Sequence, residues 1–245
     1  MIFPSLFSIP DEMEKEISVT EMAERFDKIA TATVSDAMEN LGLTNNYVLD
    51  LNIRSLTDNM HVAGAAFTIK GERDCRTGAE AHSKAMEGRD IWAEIYPGCV
   101  VVVDPGMARE GGFGFFGEMT SWNFKYHGAR GIVIDGGIRD RPGLLQIPEW
   151  GTFVRYTSPI ESHPRWRINE IQCPVVLTGQ LVKQVRINPG DFIVGDSDAV
   201  IVVPKESVMK VLIKAEEIWV GEEGSRKDFL AGLSFDEVYK KWGRA

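Results

Sequence analysis

The chain has 245 residues, 44% of them hydrophobic and 26% charged, with a formal net charge of −9. That length supports a sizeable core, and the acidic balance gives no electrostatic footprint for nucleic acid or for an anionic lipid surface. Cys75, Cys99 and Cys173 are too far apart for a disulfide framework or a zinc set, and no stretch approaches the ~20 apolar residues of a membrane span. The expectation is a cytoplasmic protein with neither nucleic-acid nor membrane partners.

Residues 1–18 read as an N-terminal arm whose Phe3, Leu6, Phe7 and Ile9 pack on something, such as another subunit. Val19, Met22, Ala23, Phe26, Ile29 and Ala30 recur at helical spacing as far as a stop at Gly42, with a break near Thr31–Thr33 and Thr33 or Ser35 capping a second helix. "HVAGAAFTIKG" predicts a strand, "GAEAHSKAMEGRDIWAEI" a helix, and "PGCVVVVD" a turn and a buried strand. The glycine-rich "EGGFGFFGEMTSW" leads into a helix that ends near Gly128, followed by the strand "GIVIDGG". "GTFVRYT", "CPVVLTG" and "LVKQVRI" read as strands, and "NPGDFIVGDSDAVIVVP" as two more around a "GDSD" turn. A long amphipathic helix and a short one, Phe235 to Trp242, form a helical extension over 205–245. With no linker or composition shift, one α/β domain over 1–245 is expected.

Several residues carry potential chemistry. Gly111, Gly112, Gly114 and Gly117 precede a helix N-terminus, which suits either a mobile surface loop or an anion site. Glu118 opens that helix and Arg139–Asp140 closes the next strand, so all three fall on one edge of the layer. An arginine beside carboxylates is either a structural ion pair or a metal carboxylate with a substrate clamp. Mg2+ keeps several waters and needs only one or two carboxylates, and arginine matches a planar carboxylate with two parallel bonds. Asp196 and Asp198 are turn-formers or ligands; Glu216, Glu217, Glu222 and Glu223 form the solvated face of the long helix; His127 complements a helix C-terminus.

Glu118, twenty residues, then Arg139–Asp140 resembles the D-x20-R-D signature of the RraA-like proteins and the class II 4-hydroxy-4-methyl-2-oxoglutarate/4-carboxy-4-hydroxy-2-oxoadipate aldolases. "TATVSDAMENLG", "VAGAAFTIKG", "YPGCVVVVD", "ARGIVIDGGIRD" and "INPGDFIVGDSDAVIVVP" are similar to that family's segments in the same order, over roughly residues 20 to 232. The resemblance implies a swivelling β/β/α domain with stacked sheets flanked by helices, assembled as a homotrimer or hexamer with interfacial sites. It implies Mg2+ or Mn2+ at Asp140, with Glu118 acting through metal-bound water and Arg139 holding the substrate. Gly117 and the amides of Met119 and Thr120 would receive the pyruvyl carboxylate. A neighbouring subunit's Glu222, with Glu223 in reserve, would complete the set.

The implied activity is cleavage of a 4-hydroxy-2-oxo acid to pyruvate and a carbonyl product, with oxaloacetate decarboxylation through the same enolate. Some relatives instead regulate a ribonuclease by protein contact, which is the alternative. This chain departs from the pattern in having Glu118 for aspartate and Arg141–Pro142–Gly143 where an acid is usual. Phe115, Phe116 and "HPRWR" (163–167) depart from it too, which points to a different substrate.

Overall fold

Val100 to Val103 are all without solvent exposure, as a strand covered on both faces must be. The computed structural model describes residues 17–43, 47–75 and 90–243. Its strands are β1 (Arg54–Ser55), β2 (Val62–Arg73), β3 (Cys99–Asp104), β4 (Gly131–Ile138), β5 (Gly151–Thr157), β6 (Trp166–Ile171), β7 (Val175–Thr178), β8 (Gln184–Ile187), β9 (Phe192–Gly195) and β10 (Val200–Val203). Eight of them form one sheet in the order β1-β5-β4-β3-β2-β9-β10, with β6 also paired to β2, while β7 and β8 form a separate hairpin. β2 to β5 run parallel, and β1, β6, β9 and β10 join antiparallel.

The helices are α1 (Val19–Phe26), α2 (Thr31–Asn40), α3 (Ile91–Glu94), α4 (Glu118–Tyr126), α5 (Arg141–Leu144), α6 (Val208–Leu230) and α7 (Phe235–Trp242). Alternation along the central strands divides the core. Val101, Val103, Ile132 and Ile134 pack with Phe124 of α4, whereas Val100, Val102 and Val133 meet Val175, Leu177, Val185 and Ile187 of the hairpin. A third cluster gathers α1, α2 and α6 over β9 and β10, where Phe26 and Phe192 place their ring centroids 5.0 Å apart. The mixed α/β architecture expected from the sequence is the one observed.

Three local expectations are corrected. Helix α2 starts at Thr31, with Ala30 as a cap that makes no side-chain bond, rather than at a Thr33 or Ser35 cap. Its orphan first-turn donors are met instead from the other end of the chain: Asp196 Oδ2 accepts from Thr31 N at 2.8 Å and Oδ1 from Thr31 Oγ1 at 2.7 Å. The same buried carboxylate accepts from the amides of Asp198 and Ala199, so Asp196 closes a turn and caps a helix and has no metal-ligand role. The acidic face of α6 is only partly solvated. Glu216 binds Arg25 of α1 through two bonds of 2.7 and 2.6 Å, and Glu222 accepts from Thr33 Oγ1 of α2 at 2.9 Å. Finally, "HPRWR" leads into β6, an edge strand paired to β2 that the sequence pattern does not predict.

Of the N-terminal arm expected over 1–18, residues 1–16 lie outside the described residues, as do residues 78–89 of the helix expected over 78–95; its described end forms the separate one-turn helix α3, capped by Asp90. Among the described residues no helix is long and apolar enough to cross a membrane.

The Asp196 cap gives a direct expectation. Asp196→Ala orphans Thr31 N and leaves its hydroxyl unpaired, a loss of about 2–3 kcal/mol for charge-assisted bonds at a buried site. The thermal midpoint is expected to fall by about 2–4 °C per kcal/mol lost, read by calorimetry. An unchanged midpoint would show that the cap contributes nothing.

Candidate functional site at the end of β4

The run Ile132–Ile134 holds β4 in the sheet centre, and the chain then turns sharply at Arg139–Asp140. Asp140 adopts φ 63° and ψ 36°, the left-handed region, which costs a non-glycine residue on the order of 1 kcal/mol. Hydrogen bonds hold the strained residue in place. The Asp140 carbonyl accepts from Gly143 N and Leu144 N to start α5, and Arg139 N donates to the Phe116 carbonyl at 3.0 Å.

The glycine-rich loop is fixed rather than mobile. Phe115 N donates to the Gly137 carbonyl and Gly114 N to that of Ile160, so the loop runs strand-like between the end of β4 and residues 158–162. Phe113 and Phe115 are buried, and Phe115 and Phe116 meet the Trp166 ring edge-on, with centroids 5.0 and 5.9 Å away. These aromatics pack together beneath the loop, and Arg167 pairs with Glu72 of β2. Tyr156 secures the other side: its hydroxyl accepts from Gly112 N and donates to the Arg109 carbonyl, both at 3.1 Å.

The loop delivers α4 with its N-terminus against the turn. Gly117 caps α4 without a side-chain bond, and Glu118 N donates to Asp140 Oδ2 at 3.4 Å. The amides of Met119 and Thr120 have no carbonyl four residues back within the helix, so this end favours an anion. Two glycines make room for the acids. A Cβ at Gly117 would overlap the Asp140 carboxylate, and one at Gly143 would overlap that of Glu118.

Arg139 lies between acids. Its Nε donates to Asp140 Oδ2 at 3.1 Å, and its Nη1 is 3.6 Å from Glu161 Oε1. The side chains of Arg139, Asp140 and Glu161 are 34%, 41% and 64% exposed, so these pairs are weak and readily exchanged for a ligand. The structure thus brings Glu118, Arg139, Asp140, Gly117, Met119 and Thr120 together. Glu222 and Glu223 lie elsewhere, on α6, where Glu223 pairs with Arg226. His127 caps α4, with its Nδ1 2.9 Å from the Asn123 carbonyl, as expected of a helix C-terminus.

Sequence reasoning missed Glu161 and the buried network beneath the turn. Asp135 has no solvent exposure. It accepts from Arg155 Nε at 2.5 Å and from the Thr178 amide and hydroxyl at 2.8 and 3.0 Å, and Arg109 Nε lies 2.9 Å away. The signal was a lone arginine, Arg155, within the otherwise apolar "GTFVRYT". A cleft of about 910 Å3 at the opposite edge, where β2, β4 and β5 begin, was missed as well. Asp27, His61, Arg130 and Trp150 line it, and burial holds the Asp27 carboxyl above its ordinary range against the opposing pull of Arg130.

Among the described residues no group of three or more His, Cys, Asp and Glu side chains is arranged to hold a metal. The donors at the turn are the two carboxylates for which glycines make room. A hard cation that retains its waters is compatible with such a sparse set, whereas a zinc-like cage is not.

The family model RraA-like (Aldolase/RraA) matches residues 31–202. A Halalkalibacterium halodurans protein, provisionally named a 4-hydroxy-4-methyl-2-oxoglutarate aldolase, is 33% identical over 205 residues, which cover 83% of this chain and 86% of that one. A solved structure described as a novel cellulase from microbes of the gut ecosystem superposes with a TM-score of 0.74 at 29% identity, covering 86% of this chain and 90% of that one. Streptomyces coelicolor RraAS2, described as an unusual member of the RNase ES inhibitor RraA family, superposes at 0.69 with 24% identity, covering 85% and 98%. The long model match and the relative that is one-third identical over most of both chains lead to one conclusion: this chain belongs to the RraA-like family.

Proposed function

We propose that the protein is a divalent-metal-dependent lyase that cleaves a 4-hydroxy-2-oxo acid to pyruvate and a carbonyl product. The observation that carries this reading is the meeting, at the end of β4, of Arg139, Asp140 and Glu118 with the open N-terminus of α4. The provisional name of the Halalkalibacterium halodurans relative supports the same chemistry.

Asp140 would hold Mg2+ or Mn2+ with Glu118 nearby, and the ion would supply Lewis acidity toward the substrate's 2-oxo group. The amides of Met119 and Thr120 receive the pyruvyl carboxylate, and Gly117 keeps that approach clear. Glu118, acting through a bridging water, would take the proton of the C4 hydroxyl. As that proton leaves, the C3–C4 bond breaks, C4 becomes a carbonyl, and the bonding pair passes to C3 to give the pyruvate enolate. Arg139 faces the oxygen on which that charge develops, and protonation at C3 completes pyruvate. Decarboxylation of oxaloacetate produces the same enolate, so one site serves both reactions. The set is completed in this proposal by the partner subunit's Glu222 within a homotrimer or hexamer.

Two variants and one titration test the reading. Arg139→Lys keeps the charge but loses the fork; it is expected to fold with an unchanged melting point and to lose roughly 10²–10³ in kcat, the usual effect of removing one charge-stabilising donor. A lowered melting point with normal turnover would reduce Arg139 to a structural ion pair. Gly117→Ala is expected to displace the Asp140 carboxylate and weaken Mg2+ binding by calorimetry, without unfolding the sheet. Removal of the metal by a chelator is expected to abolish pyruvate formation in a coupled assay, with recovery on adding Mg2+; full activity in chelator would end the metal-dependent reading.

A further inference from the structure

Arg139 does not face the solvent alone. Asp140 occupies its Nε, and Glu161 reaches its Nη1 from the opposite side, 3.6 Å away. The root of Glu161 is fixed. Its backbone bridges Gly114 of the glycine-rich loop, and its carbonyl accepts from Arg165 Nη1 at 3.1 Å. Its carboxylate, 64% exposed, therefore stands at the mouth of the site beside the guanidinium.

The other arginines around the turn are engaged elsewhere. Arg141 donates to the Leu56 carbonyl at 2.7 Å, and Arg167 pairs with Glu72. Arg109 lies on Asp135, and Arg165 is folded back onto the carbonyls of Glu161 and His163. A ligand whose first carboxylate takes the α4 amides and Arg139 would thus bring any second carboxylate toward Glu161, and among the described residues these neighbouring guanidiniums each already hold a protein oxygen.

We propose that Glu161 biases the substrate class of this site toward a 2-oxo acid with a single carboxylate, at its pyruvyl end, and a neutral remainder, so that oxaloacetate, with its second carboxylate, is the poorer substrate of the two. The inference rests on the reading of Arg139 as the substrate clamp. Like charges a few ångströms apart at a partly solvated surface disfavour each other by about tenfold or more in affinity. A hydroxylated, uncharged remainder meets no such penalty, and its hydroxyls can donate to the same carboxylate.

Two inert ligands separate the outcomes: 2-oxobutyrate, with one carboxylate, and 2-oxoglutarate, with two. Binding of each to the full-length Mg2+-loaded protein is measured by isothermal titration calorimetry. The wild type is expected to prefer 2-oxobutyrate, Glu161→Gln to shift the affinity ratio by about tenfold toward 2-oxoglutarate, and Glu161→Arg to shift it further. A ratio that stays within twofold of wild type in both variants would overturn the inference while leaving the lyase reading intact. Equal losses for both ligands with a lowered melting point would make Glu161 a structural residue and overturn it too. Failure of the wild type to bind either ligand would remove the 2-oxo acid reading itself, and the inference with it.

Discussion

A carboxylate with no access to water is costly unless it is hydrogen-bonded and paired, and Asp135 meets that condition with hydrogen bonds from two separate stretches of chain and an ion pair from a third. Arg155 comes from β5, Thr178 from the hairpin, and Arg109 from the start of the glycine-rich loop. Arg155 is in turn held by Asp50, 2.9 Å from its Nη2. The network lies five residues before Asp140 on the same strand, so the elements flanking the turn are referenced to one buried charge. A loop rich in glycine has high conformational entropy to lose. Here that cost is offset by the Arg109–Asp135 ion pair, by the Tyr156 hydroxyl, and by burial of Phe113 and Phe115.

Above this foundation the character of the interactions changes. The pairs at the turn are exposed and weak, whereas Asp135 below them is sealed from solvent. That gradient suits a binding site, because a ligand has only to displace contacts worth little in water while its supporting frame stays fixed. The left-handed geometry of Asp140 belongs to the frame: the amides of Gly143 and Leu144 lock its carbonyl from one side while Phe116 holds Arg139 from the other.

The sheet was legible because its central strands are written as apolar runs. "CVVVVD" and "GIVIDGGI" have no other stable environment than a layer covered on both faces. The start of α7 was legible too, since Ser234 and Glu237 form a capping box that local sequence specifies. What was not legible depends on partners distant in sequence. β6, "WRINEI", alternates charged and apolar residues and becomes a strand only because β2 extends far enough to pair with it. Glu161 sits in a loop with no motif, and only the strand-like path of residues 113–116 carries it to Arg139. The cluster of Glu118 with Arg139–Asp140 was visible as a spacing, because a helix start and the following strand's end must share an edge; their exposure and the glycines that clear their space were not.

The bond between Thr31 and Asp196 also constrains the order in which the chain can assemble. α2 contributes Val34, Ala37 and Met38 to a cluster that includes Ala63 and Ala65 of β2 and also Phe192, Val194, Ile201, Val211 and Leu212, the latter five more than 150 residues downstream. On a ribosome, α1 can meet Ala63 and Ala65 of β2 early, but α2 has neither α6 and β10 to pack on nor an acceptor for its first amide until the "GDSD" hairpin follows. The parallel strands β2 to β5 can pair in the meantime, with their β9-side edge open. α2, made among the first elements, thus has its packing partners and its cap acceptor only after β9, β10 and α6 are made.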